Sequence, residues 1–180
     1  AIFNMGSARN CPSLKLGLCK SIIDGKNICY ARKAERLYPS CISYRNRQEK
    51  FWKETSAKSF AIQFLLINAN KNRKFTAFRF NESGDFWTQE CVEKAEEIAK
   101  ILSKFNIITY CYTSRSDLDY SFVKNLRISG SNFKKEGIVN IFKVISSKKE
   151  KPLGYGICPM NCRICNRCLK KNMKTCVIKH

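Results

Sequence analysis

The chain has 180 residues, 44% of them hydrophobic, and 34 Lys+Arg against 14 Asp+Glu give it a formal net charge of +20. That length suits a single domain, residues 1–180, with a sizeable core. No apolar run approaches the roughly 18 residues of a membrane span, and the opening AIFNMGSARN lacks the apolar stretch of a secretory signal, so the expected location is cytoplasmic with no membrane partner.

In chain order, residues 6–30 read mostly as loop, broken by Gly, Ser, Pro and Asn, with a short apolar exit at Ile28–Tyr30 as a strand candidate. Pro39 and Ser40 open a helix over 39–53. A second helical pattern spans 56–70, with Phe60, Phe64 and Ile67 on one face. FTAFRF (75–80) alternates like a strand and stops at the turn Asn81–Asp85. Thr88 is placed to cap a helix through Phe105, with Val92, Ala95, Ile98, Ala99 and Leu102 inward. Strands follow at 107–113, 126–129 and 138–145, with a short helix predicted at Asp117–Asn125 between the first two. Strands alternating with helices predict an α/β fold with a small parallel sheet. Ligands of such sheets gather at the carboxyl ends of the strands. Those ends carry Glu82 and Asp85, Thr113 and Ser114, and Ser129 and Gly130. The same Glu82 and Asp85 also read as ordinary turn carboxylates.

The cysteines are clustered. Five of eleven, Cys158, Cys162, Cys165, Cys168 and Cys176, lie in the last 23 residues, and the only histidine, His180, ends the chain. Cys11, Cys19 and Cys29 form a looser set near the start. An odd count and an expected reducing compartment favour metal ligation over disulfides. Cys158-x3-Cys162-x2-Cys165 has the spacing of a radical-SAM [4Fe-4S] loop, and Cys162, Cys165 and Cys168 repeat the ferredoxin step. Zinc is the rival, but its sites pair two separated knuckles, whereas these steps overlap. Eight clustered thiols fit two four-cysteine clusters, or one full cluster and one three-ligand cluster. His180 is a further ligand candidate. Cys41, Cys91 and Cys111 fall within predicted helices and a strand and read as packing residues. Tyr30, Tyr44, Phe51, Trp52 and Trp87 read as core.

The charge is concentrated at the same two ends. Residues 1–50 and 151–180 each carry +7, residues 51–100 only +1. A field of this size attracts polyanions. Arg163, Arg167, Lys170 and Lys171 are the candidate nucleic-acid contacts, although a Lys- and Asn-rich composition also arises from an AT-rich genome.

The segments NCPSLKLGLC, ICYARKAERLYP, RNRQEKFW, FRFNESGDFW, ITYCYTSRS and GYGICPMNCRICNRCL follow one another in an order similar to that of small phage- and plasmid-borne proteins of the gene product eighty-eight type, related to radical-SAM-like folds. The resemblance spans nearly the whole chain. It implies a partial, radical-SAM-like barrel with cysteine-rich loops at both termini, the tail 154–180 packing on the loop 6–30. It also implies a viral protein in a host cytoplasm, one or two [4Fe-4S] clusters on Cys11, Cys19, Cys29 and the tail, and a cofactor-binding turn at Glu82, Ser83, Gly84 and Asp85 by the mouth of the barrel, with AdoMet as a further ligand. The chain departs from the radical-SAM pattern in carrying CxxxCxxC at its carboxyl end. Three functions are open: nucleic-acid binding through a basic face beside the cluster, radical-SAM-like catalysis at an open iron, or electron transfer with a redox partner.

Overall fold

Alternating buried residues at Phe78 and Phe80, and again at Thr109, Cys111 and Thr113, put one side of each strand in the core. These strands belong to a seven-stranded sheet in the computed structural model, which describes residues 1–19, 22, 23, 26, 27, 29–161 and 165–178. The strands are β1 (Ile2–Phe3), β4 (Ala77–Phe80), β5 (Ile108–Thr113), β6 (Arg127–Ser131), β7 (Asn140–Ile145), β8 (Gly156–Ile157) and β9 (Lys174–Ile178). Their spatial order is β1-β4-β5-β6-β7-β9-β8, and every pairing is parallel. Two further strands, β2 (Ile22–Ile23) and β3 (Lys26–Asn27), pair antiparallel with each other. The parallel α/β fold expected from the sequence is the one observed.

The helices are α1 (Pro12–Lys15), α2 (Tyr30–Leu37), α3 (Ser40–Glu54), α4 (Ala57–Ala69) and α5 (Gln89–Ser103). Val92, Ala95, Ile98, Ala99 and Leu102 of α5 are all buried, as the periodicity predicts. Together with α4 they cover the sheet face that carries Phe80, Cys111 and Ile128, which stand in one register row. An aromatic cluster fills the joint: Phe3 meets Phe60 at 4.8 Å between centroids, Phe64 meets Phe78 at 4.7 Å, and Trp52 packs edge-on to Phe80 at 5.6 Å. Each such ring contributes on the order of 2–3 kcal/mol by leaving water.

Several local expectations are corrected. Ile67 is exposed rather than inward, because Asn68 takes the inner position and clamps the next segment, its amide donating to Phe75 O at 3.1 Å and accepting from Phe75 N at 2.7 Å. Thr88 stands at the N-cap of α5, but its side chain makes no capping bond to the backbone. Asp117–Asn125 is a run of turns, not a helix. Its amides are taken by side chains from α5: Glu96 accepts from the N–H groups of Lys124, Asn125 and Leu126, and Gln89 from Asp119. Tyr30 begins α2 rather than ending a strand, and Ile28 lies outside the described residues; Tyr30, Ala31, Ala34 and Leu37 form an apolar side of α2 where a loop with a strand exit was expected. Tyr30 and Tyr44 are half exposed rather than core, whereas Trp52 is buried. Cys111 is fully buried, and Cys41 and Cys91 are partly so.

The second face of the sheet carries Arg79, Tyr110 and Arg127 in one row and Tyr112, Ser129 and Asn140 in the next. Here the tail supplies the cover that all-parallel sheets require. A 3₁₀ turn, Arg167–Leu169, lies against β5, and the Tyr112 hydroxyl meets Cys168 Sγ. Through β8 and β9 the tail supplies two strands of the sheet, and its described contacts include β5 and β7.

Candidate metal centre at the carboxyl end of the sheet

The chain leaves β1 through Asn4, Met5 and Gly6, and leaves β4 through Asn81 to Asp85. These two exits are bound together. Asn4 Oδ1 accepts from Ser83 N at 2.7 Å, and Ser83 Oγ donates to Gly6 O at 3.1 Å. Gly84 sits at φ +75 where an added Cβ would stand 3.1 Å from Gly6 N and 3.2 Å from Gly6 O, so the close approach requires glycine.

Asp85 is the hub of this end. Its carboxylate accepts from Ser13 Oγ at 2.5 Å, Thr113 Oγ1 at 2.7 Å, Phe86 N at 2.8 Å and Ser114 N at 2.9 Å. Burial pushes its pKa up, and these four bonds work in the opposite direction. Among the turn residues 82–85, Ser83 and Asp85 are buried with their polar atoms engaged inside the protein, while Glu82 is partly exposed and offers its carbonyl to Tyr30.

The amino-terminal cysteines hang from this turn by two tethers. Ser13, held to Asp85 through its hydroxyl, also accepts Leu18 N and Cys19 N on its carbonyl at 2.9 and 3.0 Å. That closes the loop between Cys11, which precedes α1, and Cys19. The Cys11 thiol is pushed up to about 12 by burial first and by the Asp85 charge second, with Cys19 adding a smaller contribution of the same sign. The second tether starts at Cys29, the N-cap of α2. The next residue, Tyr30, donates from its hydroxyl to Glu82 O at 2.5 Å and accepts from Arg79 Nη2 at 3.2 Å. Behind both tethers, buried Glu35 accepts from Ser7 Oγ, Ala8 N and Arg45 Nη1 at 2.8–2.9 Å, locking α2 and α3 to the strand exit.

The described tail thiols stand in and between β8 and β9, with Cys168 against Tyr112 on the sheet face that also carries Arg79. Cys158 follows the carboxyl end of β8, its N–H donating to Cys176 O at 2.7 Å. Cys176 is fully buried within β9, its Sγ 3.6 Å from Gly156 O. Cys165 begins a short turn, Cys165 N donating to Asn161 O at 3.2 Å, and Cys168 faces Tyr112. Cys162, Arg163 and His180 lie outside the described residues. Lys170 and Lys171 are exposed, whereas Arg167 is partly buried with its guanidinium over Gly156. Among the described residues no three Cys, His, Asp or Glu side chains converge closely enough to hold a metal. Cys11, Cys19 and Cys29 nevertheless sit on loop segments tied to one turn, and a thiolate-bound metal would have to draw them together as it bound.

Sequence reasoning missed Ser13, Asn4 and Tyr30 as the residues that gather this end. None has a spacing that marks it, since each acts across 49 to 79 positions.

A family model described as gene product 88 matches residues 1–134. The match holds the Cys11, Cys19 and Cys29 loops and the turn 82–85; the tail cysteines fall beyond it. No curated protein matches the chain. No solved structure matches it either.

Proposed function

The chain belongs to the gene product 88 family, and we propose that it binds an iron–sulfur cluster through Cys11, Cys19 and Cys29 at the carboxyl end of its parallel sheet. One observation supports this most: Ser13–Asp85 and Tyr30–Glu82 tie all three cysteine-bearing loop ends to a single turn after β4. That is the end at which parallel α/β sheets take their ligands. When bound, such a cluster supplies one-electron chemistry and, with three protein ligands, an iron open to an exogenous molecule such as AdoMet. The chain's own part is to hold the thiols. Asp85 fixes Ser13, Ser13 fixes the Cys11–Cys19 loop, and Tyr30 fixes the start of α2.

Cys158, Cys162, Cys165 and Cys168 form the set for a second cluster in this reading, with His180 as a reserve ligand. The family resemblance adds a viral or other mobile-element origin and host-cytoplasmic residence to the proposal. Among the described residues no helix is long and apolar enough to cross a membrane.

The test is anaerobic purification with iron and sulfide analysis, and EPR with and without AdoMet. Iron and sulfide in near-equal amounts support the reading; stoichiometric zinc in iron-free protein overturns it. A change in the EPR signal on adding AdoMet selects the radical-SAM-like form over a closed electron-transfer cluster.

A second reading, nucleic-acid binding, is favoured by exposed Lys170 and Lys171 in a segment, 151–180, that carries +7 and no carboxylate side chain. Such side chains are free to neutralise phosphates in DNA or RNA.

A further inference from the structure

Arg79 stands on the second face of the sheet near the carboxyl end of β4, and no carboxylate among the described residues pairs with it. The two groups it touches, Tyr30 and Tyr112, are neutral, and the Glu82 carboxylate acts on it only from beyond ion-pair distance. Nη2 donates to the Tyr30 hydroxyl at 3.2 Å, and Cζ lies 5.0 Å from the centroid of the Tyr112 ring. Its Nε is buried and has no hydrogen-bond partner. A cation withdrawn from water in this way is ordinarily matched by an anion.

A second orphan lies two residues on. Asn81 is only 5% exposed, and its Oδ1 is buried without a partner, while its Nδ2 faces Asp85 at 3.4 Å. One end of one strand therefore holds a buried donor and a buried acceptor, both unused. Native proteins leave few such atoms, and those at strand ends of parallel sheets stand where ligands bind. Tyr110, Tyr112 and Phe142 line the same sheet face, with Tyr112 and Phe142 at 5.0 Å between centroids.

We propose that Arg79 Nε and Asn81 Oδ1 form a subsite for a small organic oxyanion, a phosphate or carboxylate whose neighbouring hydroxyl or amino group donates to Asn81. The guanidinium provides the charge, Asn81 selects a ligand with a donor beside its anion, and the aromatic rings accept an apolar or planar body. The subsite shares Tyr30 and Asp85 with the turn that holds the Cys11, Cys19 and Cys29 loops, so its test reads anion binding itself rather than iron content.

Thermal melts of the whole chain are run against inorganic phosphate and, separately, acetate, at constant ionic strength set by KCl. The two arms separate phosphate from carboxylate. One of them raises Tm along a saturating curve, by about 3–5 °C at ten times its dissociation constant. Arg79→Gln abolishes the rise, and Arg73→Gln, which removes an exposed charge elsewhere, preserves it. A response to neither anion, or an equal response in Arg79→Gln, overturns the proposal. Should Arg79→Gln fail to fold, the wild-type arginine Nε–H NMR spectrum decides. A buried, slowly exchanging Nε–H signal must shift saturably with the anion, and a signal that stays in place rejects the subsite.

Discussion

Ser13 Oγ donates to Asp85 Oδ2 at 2.5 Å across 72 positions of sequence. This bond joins a cysteine-bearing loop to the turn at the end of a central strand. Around it the same carboxylate gathers Thr113, Ser114 and Phe86, so one side chain holds the ends of β4 and β5 and the Cys11–Cys19 loop together.

Removing that carboxylate leaves buried donors without acceptors. Asp85→Ala is expected to cost about 3–5 kcal/mol, since each stranded donor costs roughly 1–3 kcal/mol before relaxation. Urea denaturation measures the loss. Ser13→Ala, which removes one bond, is expected to cost about 1 kcal/mol and to speed alkylation of Cys11 and Cys19. Unchanged alkylation rates in Ser13→Ala contradict the tether.

The Glu35–Arg45 pair makes a pH-dependent contribution. Burial works to raise the Glu35 pKa, but the bonds from Ala8 N, Arg45 and Ser7 outweigh it, and the folded value lies below the ordinary carboxylate range. A depressed folded pKa stabilises the protein above the unfolded value of about 4.3. The contribution is lost as pH falls from there through the folded value. Denaturation midpoints of the wild type should therefore drop below about pH 4 more steeply than those of Glu35→Gln. Arg45→Met, which strands the buried carboxylate, is expected to cost about 3–5 kcal/mol at pH 7. Equal acid slopes in wild type and Glu35→Gln are the contrary result.

Metal content separates the cysteines by position. Cys11→Ser, Cys19→Ser and Cys29→Ser should each lower iron while leaving the sheet folded, as read by far-UV circular dichroism. Cys176→Ala should leave iron unchanged and cost about 1 kcal/mol or more, because its buried Sγ packs inside a strand. Iron lost in Cys176→Ala but kept in all three amino-terminal variants reverses this assignment.

Nucleic-acid affinity, if carried by the tail, depends on its exposed lysines. Charge reversal at Lys170 and Lys171 should weaken duplex binding and reduce the salt slope by about 1 for each phosphate contact removed. The same change at Lys100 and Lys104, exposed at the end of α5, serves as the comparison. Equal effects from both pairs place the contact face away from the tail, and no binding at low salt removes it.

Much of the scaffold is legible in the chain because its signals are local. The inward set of α5, the alternation of Phe78 and Phe80 and the strand at 108–113 each follow from the period with which apolar side chains meet one core. The parallel sheet follows from strands that alternate with helices. The start of α2 is harder to see because its apolar side, Tyr30, Ala31, Ala34 and Leu37, is short and gives the core little beyond Ala31. Tyr30–Leu37 buries only Ala31 and Glu35, and Glu35 is a charge whose burial makes sense only beside Arg45 and the Ala8 amide.

The sequence by itself determined the inventory: thiols gathered in two sets and positive charge at the same two ends. The tertiary structure alone decided how those residues are deployed. Cys176 lies in a strand because β9 inserts between β7 and β8 and its amides need partners there. Arg79 faces Tyr112 because the parallel register sets its side chain on the face away from the helices. Cys11, Cys19 and Cys29 hang from one turn because Asp85 and Glu82 bond to residues 72 and 52 positions away. Spacing along a chain records which groups are available; long-range hydrogen bonds and strand register, which have no local period, fix where they meet.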